Sequence, residues 1–267
     1  MWGIIPAAGN GSRIQPLAFS KELLPVGSRS DGDGERPRAV SEYLVERMLR
    51  AGATKICFVI SRGKSDILEY YGGKVGEADL CYVVQPEPAG LCDAVFRAAP
   101  LVHPDEPVLI GLPDTIWFPE NALAELAGDE FSLLLFPVAR PELFDAVVLN
   151  PNGMVAEVQV KRAAAASHWV WGAMSLQGRV LHALHRLWIE RLRADEYLGT
   201  LFNAHIDRGG VVRGAQIGKA YVDVGTLHGY REATRLLEAM KLLEAMKLLG
   251  SDPATNPATP PWQGRSV

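Results

Sequence analysis

Cysteine is scarce in this chain of 267 residues: there are three, Cys57, Cys81 and Cys92, and no C-x-x-C pair. That excludes a disulfide scaffold and a cysteine-rich zinc module. Each cysteine lies among apolar or small residues and reads as a reduced thiol in or near the core, which points to a reducing cytoplasm. An excess of positive charge is also missing. Lys and Arg number 27 against 31 Asp and Glu, a formal net charge of −4, so there is no global basic surface for nucleic acid or an anionic membrane. Any anionic ligand has to be met by local cations. No apolar run is long enough to span a bilayer. The first residues form a short apolar strand without the basic n-region of a signal peptide. The six histidines form no metal constellation. His182 and His185 stand three apart on a helical stretch with no third ligand at suitable spacing.

What is present is an alternation of short apolar runs and helix-period segments. WGIIPA, KICFVIS, LCYVVQ and PVLIGL read as strands, with helical patterns over Val40–Ala51, Lys64–Tyr71 and Leu91–Ala98 between them. This rhythm predicts an α/β fold with a parallel sheet and helices on both faces. After Asp114 the rhythm changes. FSLLLFPV, DAVVLN, VAEVQV, HWVWGAMSL, GVVRGAQIG and KAYVDVG read as strands, and Gln177–Arg193, Glu196–Arg208 and Leu227–Leu249 as helices. A mixed sheet in one domain, residues 1–249, accounts for this. The Pro- and Thr-rich segment 250–267 is aperiodic and reads as a disordered tail.

Two stretches stand apart. The hexapeptide LLEAMK occurs twice in succession in the last helix. A local duplication that lengthens the helix explains it, and the alternative is a homo-oligomer contact made by the added Leu and Met surface. The Gly- and charge-rich segment Gly27–Arg38 contains Asp31-Gly-Asp33-Gly and has Glu42 at the twelfth place of a calcium loop. Its sixth place is Arg36, where an EF-hand turn needs glycine, so the segment reads as a mobile surface insertion.

The turn after the first strand is Ala7-Ala8-Gly9-Asn10-Gly11-Ser12-Arg13. Gly9 and Gly11 can bring bare backbone N–H groups against phosphate. Ser12 adds a hydroxyl, Arg13 a fork of donors, and Lys21 a compact charge. The dinucleotide fingerprint fails, because Ile14 stands where its third glycine belongs, and the G-K-[ST] of a P-loop is absent. A glycine turn reinforced by Arg13 and Lys21 suits a nucleoside triphosphate.

AAGNGSRIQPLAFSKELLPV closely resembles the opening motif of the sugar-1-phosphate nucleotidylyltransferases: G-x-G-[ST]-R, then P, then K-x-x-x-P-V. Gly9, Gly11, Ser12, Arg13, Pro16, Lys21, Pro25 and Val26 match in order. VVQPEPAGLCDAV, LIGLPDTIWF and YVDVGT are similar to segments of the glucose-1-phosphate thymidylyltransferase branch, and the likeness runs to about Glu232. The resemblance implies a Rossmann-like, mixed and mostly parallel sheet flanked by helices, in a single nucleotidyltransferase domain. It implies that a sugar-1-phosphate oxygen attacks the α-phosphate of a pyrimidine nucleoside triphosphate and releases pyrophosphate. The implied cofactor is Mg²⁺, with Asp114 and Asp223 as its ligands. Arg13 and Lys21 are the implied catalytic cations and Lys161 the grip on the sugar phosphate. Gln85 and Gly90 are implied to meet the base. Whether that base is thymine or uracil differs by one methyl group and stays open, with the Q-P-x-P-x-G-L wording favouring dTTP.

The sugar side departs from that branch. Val160 and Arg162 flank Lys161 where the branch has Glu and Pro, and Phe144-Asp145-Ala146-Val147 replaces Tyr-Gly-Val-Val. Asp145 and Glu157 are the carboxylates available instead, although strand alternation sets Glu157 off from Val160. Trp169 and Trp171 precede Gly172, a further candidate on the sugar side. The expectation is a sugar phosphate other than plain glucose-1-phosphate. The alternatives are a uridylyltransferase, a non-catalytic binding homologue that would have lost Arg13, Lys21 or an aspartate, and a glycosyltransferase, which would leave the opening motif unexplained.

Overall fold

The run WGIIP forms β1 (Trp2–Pro6), which is buried at every position. The computed structural model describes residues 1–30, 32 and 34–248. The expected tail 250–267, with Asp31 and Asp33 of the calcium-like stretch, lies outside them. After β1 come the glycine turn, a 3-10 turn at Lys21–Leu23, and a hairpin of β2 (Pro25–Ser30) and β3 (Glu35–Ala39). There follow α1 (Val40–Arg50), β4 (Lys55–Ser61), α2 (Ser65–Tyr71), β5 (Lys74–Val75), β6 (Ala78–Gln85), α3 (Gly90–Arg97) and β7 (Pro107–Gly111).

These strands build the centre of a ten-stranded mixed sheet. Strands β7, β1, β4 and β6 run parallel side by side, with Ile4 opposite both Cys57 and Ile110. Helices cover both faces, which is why these strands read as continuous apolar runs rather than alternating ones. Leu44, Val45 and Met48 of α1 are buried on one face. Val95 and Phe96 of α3 are buried on the other. Each such side chain contributes about 1.5–3 kcal/mol on burial. Because β1 lies between β4 and β7, the chain leaving β1 and the chain leaving β7 diverge. That switch point opens a crevice at the C-terminal strand ends.

Beyond Asp114 the chain forms β8 (Thr115–Phe118), β9 (Phe131–Pro137), β10 (Asp145–Leu149), β11 (Val155–Val160) and β12 (Trp169–Gln177). It continues with α4 (Gly178–Glu190), α5 (Leu198–Asp207), β13 (Arg213–Ala215), β14 (Ala220–Asp223) and α6 (Leu227–Leu248). Strand β12 pairs antiparallel to β7 and carries β9 and β10 onward. Strands β8 and β14 form a separate antiparallel ribbon with Asp223 opposite Thr115. A third apolar cluster, including Val26, Tyr43, Ile116, Val222 and Ala233, fixes this ribbon to α1, β2 and α6. No described helix is long and apolar enough to cross a membrane.

Two expectations are corrected. The segment Gly27–Arg38 is not a loose insertion, because β2 and β3 pair antiparallel. Tyr43 Oη donates to the Val26 carbonyl at 2.9 Å, and Lys241 of α6 donates to Ser28 Oγ at 2.5 Å and to Glu35. Of GVVRGAQIG only Arg213–Ala215 is a strand, since only those residues pair in continuous register with β9.

Candidate active site

A cleft of about 600 Å³ opens along the C-terminal strand ends. Gly9, Arg13, Lys21, Gln85, Gly90, Asp114, Asp145, Lys161 and Asp223 all line it. They come from loops and strand ends spread across the chain, so the fold gathers most of the sequence candidates at one place.

Its floor carries two ion pairs. Lys21 Nζ donates to Asp114 Oδ2 at 2.5 Å, with both side chains largely buried. Arg13 Nη1 donates to Asp223 Oδ2 at 2.9 Å, with the arginine exposed. The β8–β14 ribbon sets the two aspartates side by side, and Val224 N–H donates to the Asp114 carbonyl at 2.8 Å. Burial opposes the Lys21 charge, yet Asp114, Glu22 and Asp223 outweigh it and raise the ammonium above its ordinary pKa. Burial likewise opposes the Asp114 charge. Lys21, through charge and hydrogen bond, holds that carboxyl below its usual range.

Gly225 leaves room between the aspartates. A Cβ there would stand 2.8 Å from Asp223 Oδ1 and 3.2 Å from Asp114 Oδ2. The two carboxylates thus offer hard oxygen donors close together on the cleft lining, which suits Mg²⁺ completed by phosphate oxygens and water. Among the described residues no cluster of three or more His, Cys, Asp or Glu forms a metal cage.

At the far end of β6, Gln85 is buried. Its Nε2 donates to Asp93 Oδ2 at 2.8 Å and to the Gly90 carbonyl at 3.2 Å. Both amide hydrogens are therefore committed, and Oε1 is the group left to accept. Gly90 has a φ of +83°, and a Cβ on it would stand 2.7 Å from Glu196 Cγ. Its backbone is shaped by the close approach of the 196 segment, to whose carbonyl Leu91 N–H donates at 3.0 Å.

On the opposite wall, Lys161 follows β11 in a left-handed conformation, φ 44°, which is uncommon for lysine. Its Nζ lies 4.4 Å from the centre of the Tyr197 ring and 3.3 Å from that hydroxyl. Asp145 faces it from β10. Burial raises the Asp145 carboxyl above its usual range, against the pull of Trp171 and Lys161.

Four sequence candidates do not line the cleft. Glu157 shares a strand face with Gln159, which donates to it at 2.8 Å, and is held by Arg162 at 2.6 Å. Asp145 instead clusters with Val158 and Val160 beside Gly199, so strand period keeps Glu157 away. Gly172 is a packing position, where a Cβ would strike Tyr221 and Phe136 at 2.5 and 2.8 Å. Ser12 is exposed at the tip of the turn. Gly11 serves from beneath: with φ +65°, it lets the Lys21 stem pass 2.7 Å from where its Cβ would be.

Tyr197 and Tyr221 also line the cleft, with Gly225 beside its aspartates and a buried lysine, Lys64, under the turn, and none of these stood out in the sequence. Gly225 lay inside the quoted YVDVGT. Tyr197 and Lys64 carry no local signal, being recruited by folding.

The chain matches the profile of the nucleotidyl transferase family over residues 2–240. It is 23% identical over 243 residues to the glucose-1-phosphate thymidylyltransferase of Mycolicibacterium smegmatis, covering 88% of this chain and 81% of that one. It is 30% identical over 156 residues to the UTP–glucose-1-phosphate uridylyltransferase of Bacillus subtilis, covering 49% of this chain and 50% of the relative. The match thus spans about half the length of that relative. The UTP-bound UGPase from Acinetobacter baumannii has the same fold, with a TM-score of 0.71, 20% identity, and coverage of 91% of this chain and 98% of that one. The chain belongs to the nucleotidyl transferase family, and its similarity lies with the sugar-1-phosphate nucleotidyltransferases.

Proposed function

We propose that this protein joins a pyrimidine nucleoside triphosphate to a sugar-1-phosphate, releasing pyrophosphate and forming a nucleotide sugar. The observation that carries the reading is the pair of ion pairs, Lys21–Asp114 and Arg13–Asp223, on the floor of the cleft next to the glycine turn. Two polyanions have to meet there, so the barrier is charge repulsion and positioning.

Asp114 and Asp223 are the residues that would hold Mg²⁺, which when bound supplies positive charge to the phosphates. Lys21 and Arg13 balance the two carboxylates and are placed to bring their charge to phosphate oxygens. Arg13, at the mouth, suits the departing pyrophosphate. Lys21, on the floor, suits the α-phosphate. Lys161, stacked on Tyr197 across the cleft, suits the phosphate of the sugar. No side chain has to form a covalent intermediate, so the reading is direct displacement.

Gln85 supports selection of the base. Its free Oε1 can accept a hydrogen bond from the N3–H of uracil or thymine, whereas cytosine presents an acceptor at N3. Within that pair the Q-P-x-P-x-G-L wording favours dTTP. UTP is the second reading, favoured by the uridylyltransferase similarity at 30% identity. Asp145 takes the sugar-hydroxyl role that the missing glutamate leaves open.

The test is pyrophosphate release over a matrix of dTTP, UTP, CTP, ATP and GTP with a panel of sugar-1-phosphates and Mg²⁺. Turnover with dTTP or UTP and at least one sugar-1-phosphate is expected. Release confined to purine nucleotides, or none with any pair, rejects the reading.

A further inference from the structure

Lys64 stands just before α2 and is 8% exposed. Its Nζ donates to the Ala7 carbonyl at 2.6 Å, to the Gly9 carbonyl at 2.7 Å, and to both oxygens of Glu22 at 2.8 Å. Glu22 is fully buried. A buried ammonium without a counter-charge would be strongly destabilising, and Glu22 supplies that charge from the residue next to Lys21. Neither Lys64 nor Glu22 lines the cleft.

The two carbonyls are what connect Lys64 to the ligand side. In a trans peptide unit the C=O and the following N–H point in opposite directions. The units that join Ala7 to Ala8 and Gly9 to Asn10 are trans. Drawing the Ala7 and Gly9 oxygens onto Lys64 therefore turns the Ala8 and Asn10 N–H groups away from it. Ala8 and Gly9 line the cleft. Neither the Ala8 nor the Asn10 N–H meets an acceptor among the described residues. Ala8 is 4% exposed and lines the cleft, and a largely buried backbone N–H without a protein acceptor is rare in folded proteins. An acceptor arriving through the cleft would satisfy it.

We propose that Lys64 is a positioning residue that sets the polarity of the glycine turn, presenting the Ala8 and Asn10 N–H groups to the phosphates of a nucleoside triphosphate. This rests on the function proposed above. Lys64 touches no substrate and acts through the backbone. Released from it, the two peptide units can rotate, and a carbonyl turned toward the cleft would repel phosphate where an N–H attracts it.

The test compares Lys64→Met, Glu22→Gln and the double variant with wild type in the full chain with Mg²⁺. Binding of UTP and dTTP is measured by calorimetry, and KM by pyrophosphate release. Lys64→Met should weaken binding of the better nucleotide about 30-fold, the scale of one or two lost donors to a charged group. The KM for sugar-1-phosphate should stay within about twofold, because Lys161 lies on the other wall. Glu22→Gln keeps the carbonyl contacts, so it should lower stability but leave nucleotide affinity within about threefold. The double variant, which removes the buried pair as a neutral exchange, should fold and repeat the nucleotide defect. It decides the matter if Lys64→Met alone does not fold. Wild-type nucleotide affinity in the folded double variant overturns the proposal. So does a loss with Glu22→Gln equal to that with Lys64→Met. Wild-type protein that binds dTTP or UTP but makes no nucleotide sugar rejects the proposed reaction and leaves the role of Lys64 decided by the variants. Wild type that binds neither rejects both.

Discussion

Lys21 crosses directly over Gly11, its Cδ 2.7 Å from where a Cβ on that glycine would stand. The glycine turn and the proposed catalytic cation are therefore packed against each other. The backbone at Gly11 is also left-handed, φ +65°. Gly11→Ala should cost about 1–2 kcal/mol from the backbone alone and displace Lys21 from Asp114. A fall in turnover of about 100-fold is expected, the scale of a misplaced catalytic group. Denaturant unfolding and steady-state kinetics on the same preparation check both parts.

The Lys21–Asp114 pair also gives stability a pH signature. Asp114 has its pKa lowered by folding, so its contribution is present above the unfolded value, about 3.9, and disappears as pH falls through the lower folded value. Lys21 has its pKa raised, so its contribution is present below about 10.4 and is lost as pH rises through the higher folded value. Asp114→Asn should cost about 3 kcal/mol between these limits, as expected for breaking a largely buried pair. Urea unfolding from pH 3 to pH 8 should show the gap between wild type and variant closing on the acid side. A gap independent of pH would contradict the assignment.

Asp145 allows the sugar side to be separated from the nucleotide side. It lies half-buried in the cleft, on the strand paired with the one that leads to Lys161. Asp145→Ala removes the proposed acceptor for a sugar hydroxyl, worth about 1.5–3 kcal/mol when charged. The KM for the preferred sugar-1-phosphate should rise at least tenfold while that for the nucleotide stays level. Equal changes in both would place Asp145 outside the sugar site.

Arg47 makes a prediction about the scaffold alone. It is 1% exposed and donates to the Tyr43 carbonyl at 2.7 Å and the Trp117 carbonyl at 2.5 Å. Its guanidinium carbon lies 4.7 Å from the Trp117 ring centre. It thereby fastens α1 to β8, the strand that begins just after Asp114. Arg47→Ala should destabilise the protein by about 3 kcal/mol, through the cavity and the loss of the guanidinium donor to the Trp117 carbonyl. Denaturant midpoints measure it.

Much of this was legible from the sequence where the physics is local. KICFVIS and VAEVQV name β4 and β11 to the residue, because burial dictates their side chains. Arg13, Lys21 and Asp114 come together because they follow β1 and β7, neighbouring parallel strands, and Asp223 joins them through the antiparallel β8–β14 ribbon. The β2–β3 hairpin was not legible. ERPRA carries charges and a proline, and its partners on α6 lie some two hundred residues away in the chain. Lys64 was equally hidden, since a lysine between a strand and a helix looks like a surface residue until Glu22 and two carbonyls close around it.

The hairpin that α6 grips through Lys241 begins only four residues after Lys21. The last described helix is thus a brace on the hairpin that follows the glycine turn rather than an appendage. Shortening it from its C-terminal end would remove a support whose load is carried at the opposite end of the polypeptide.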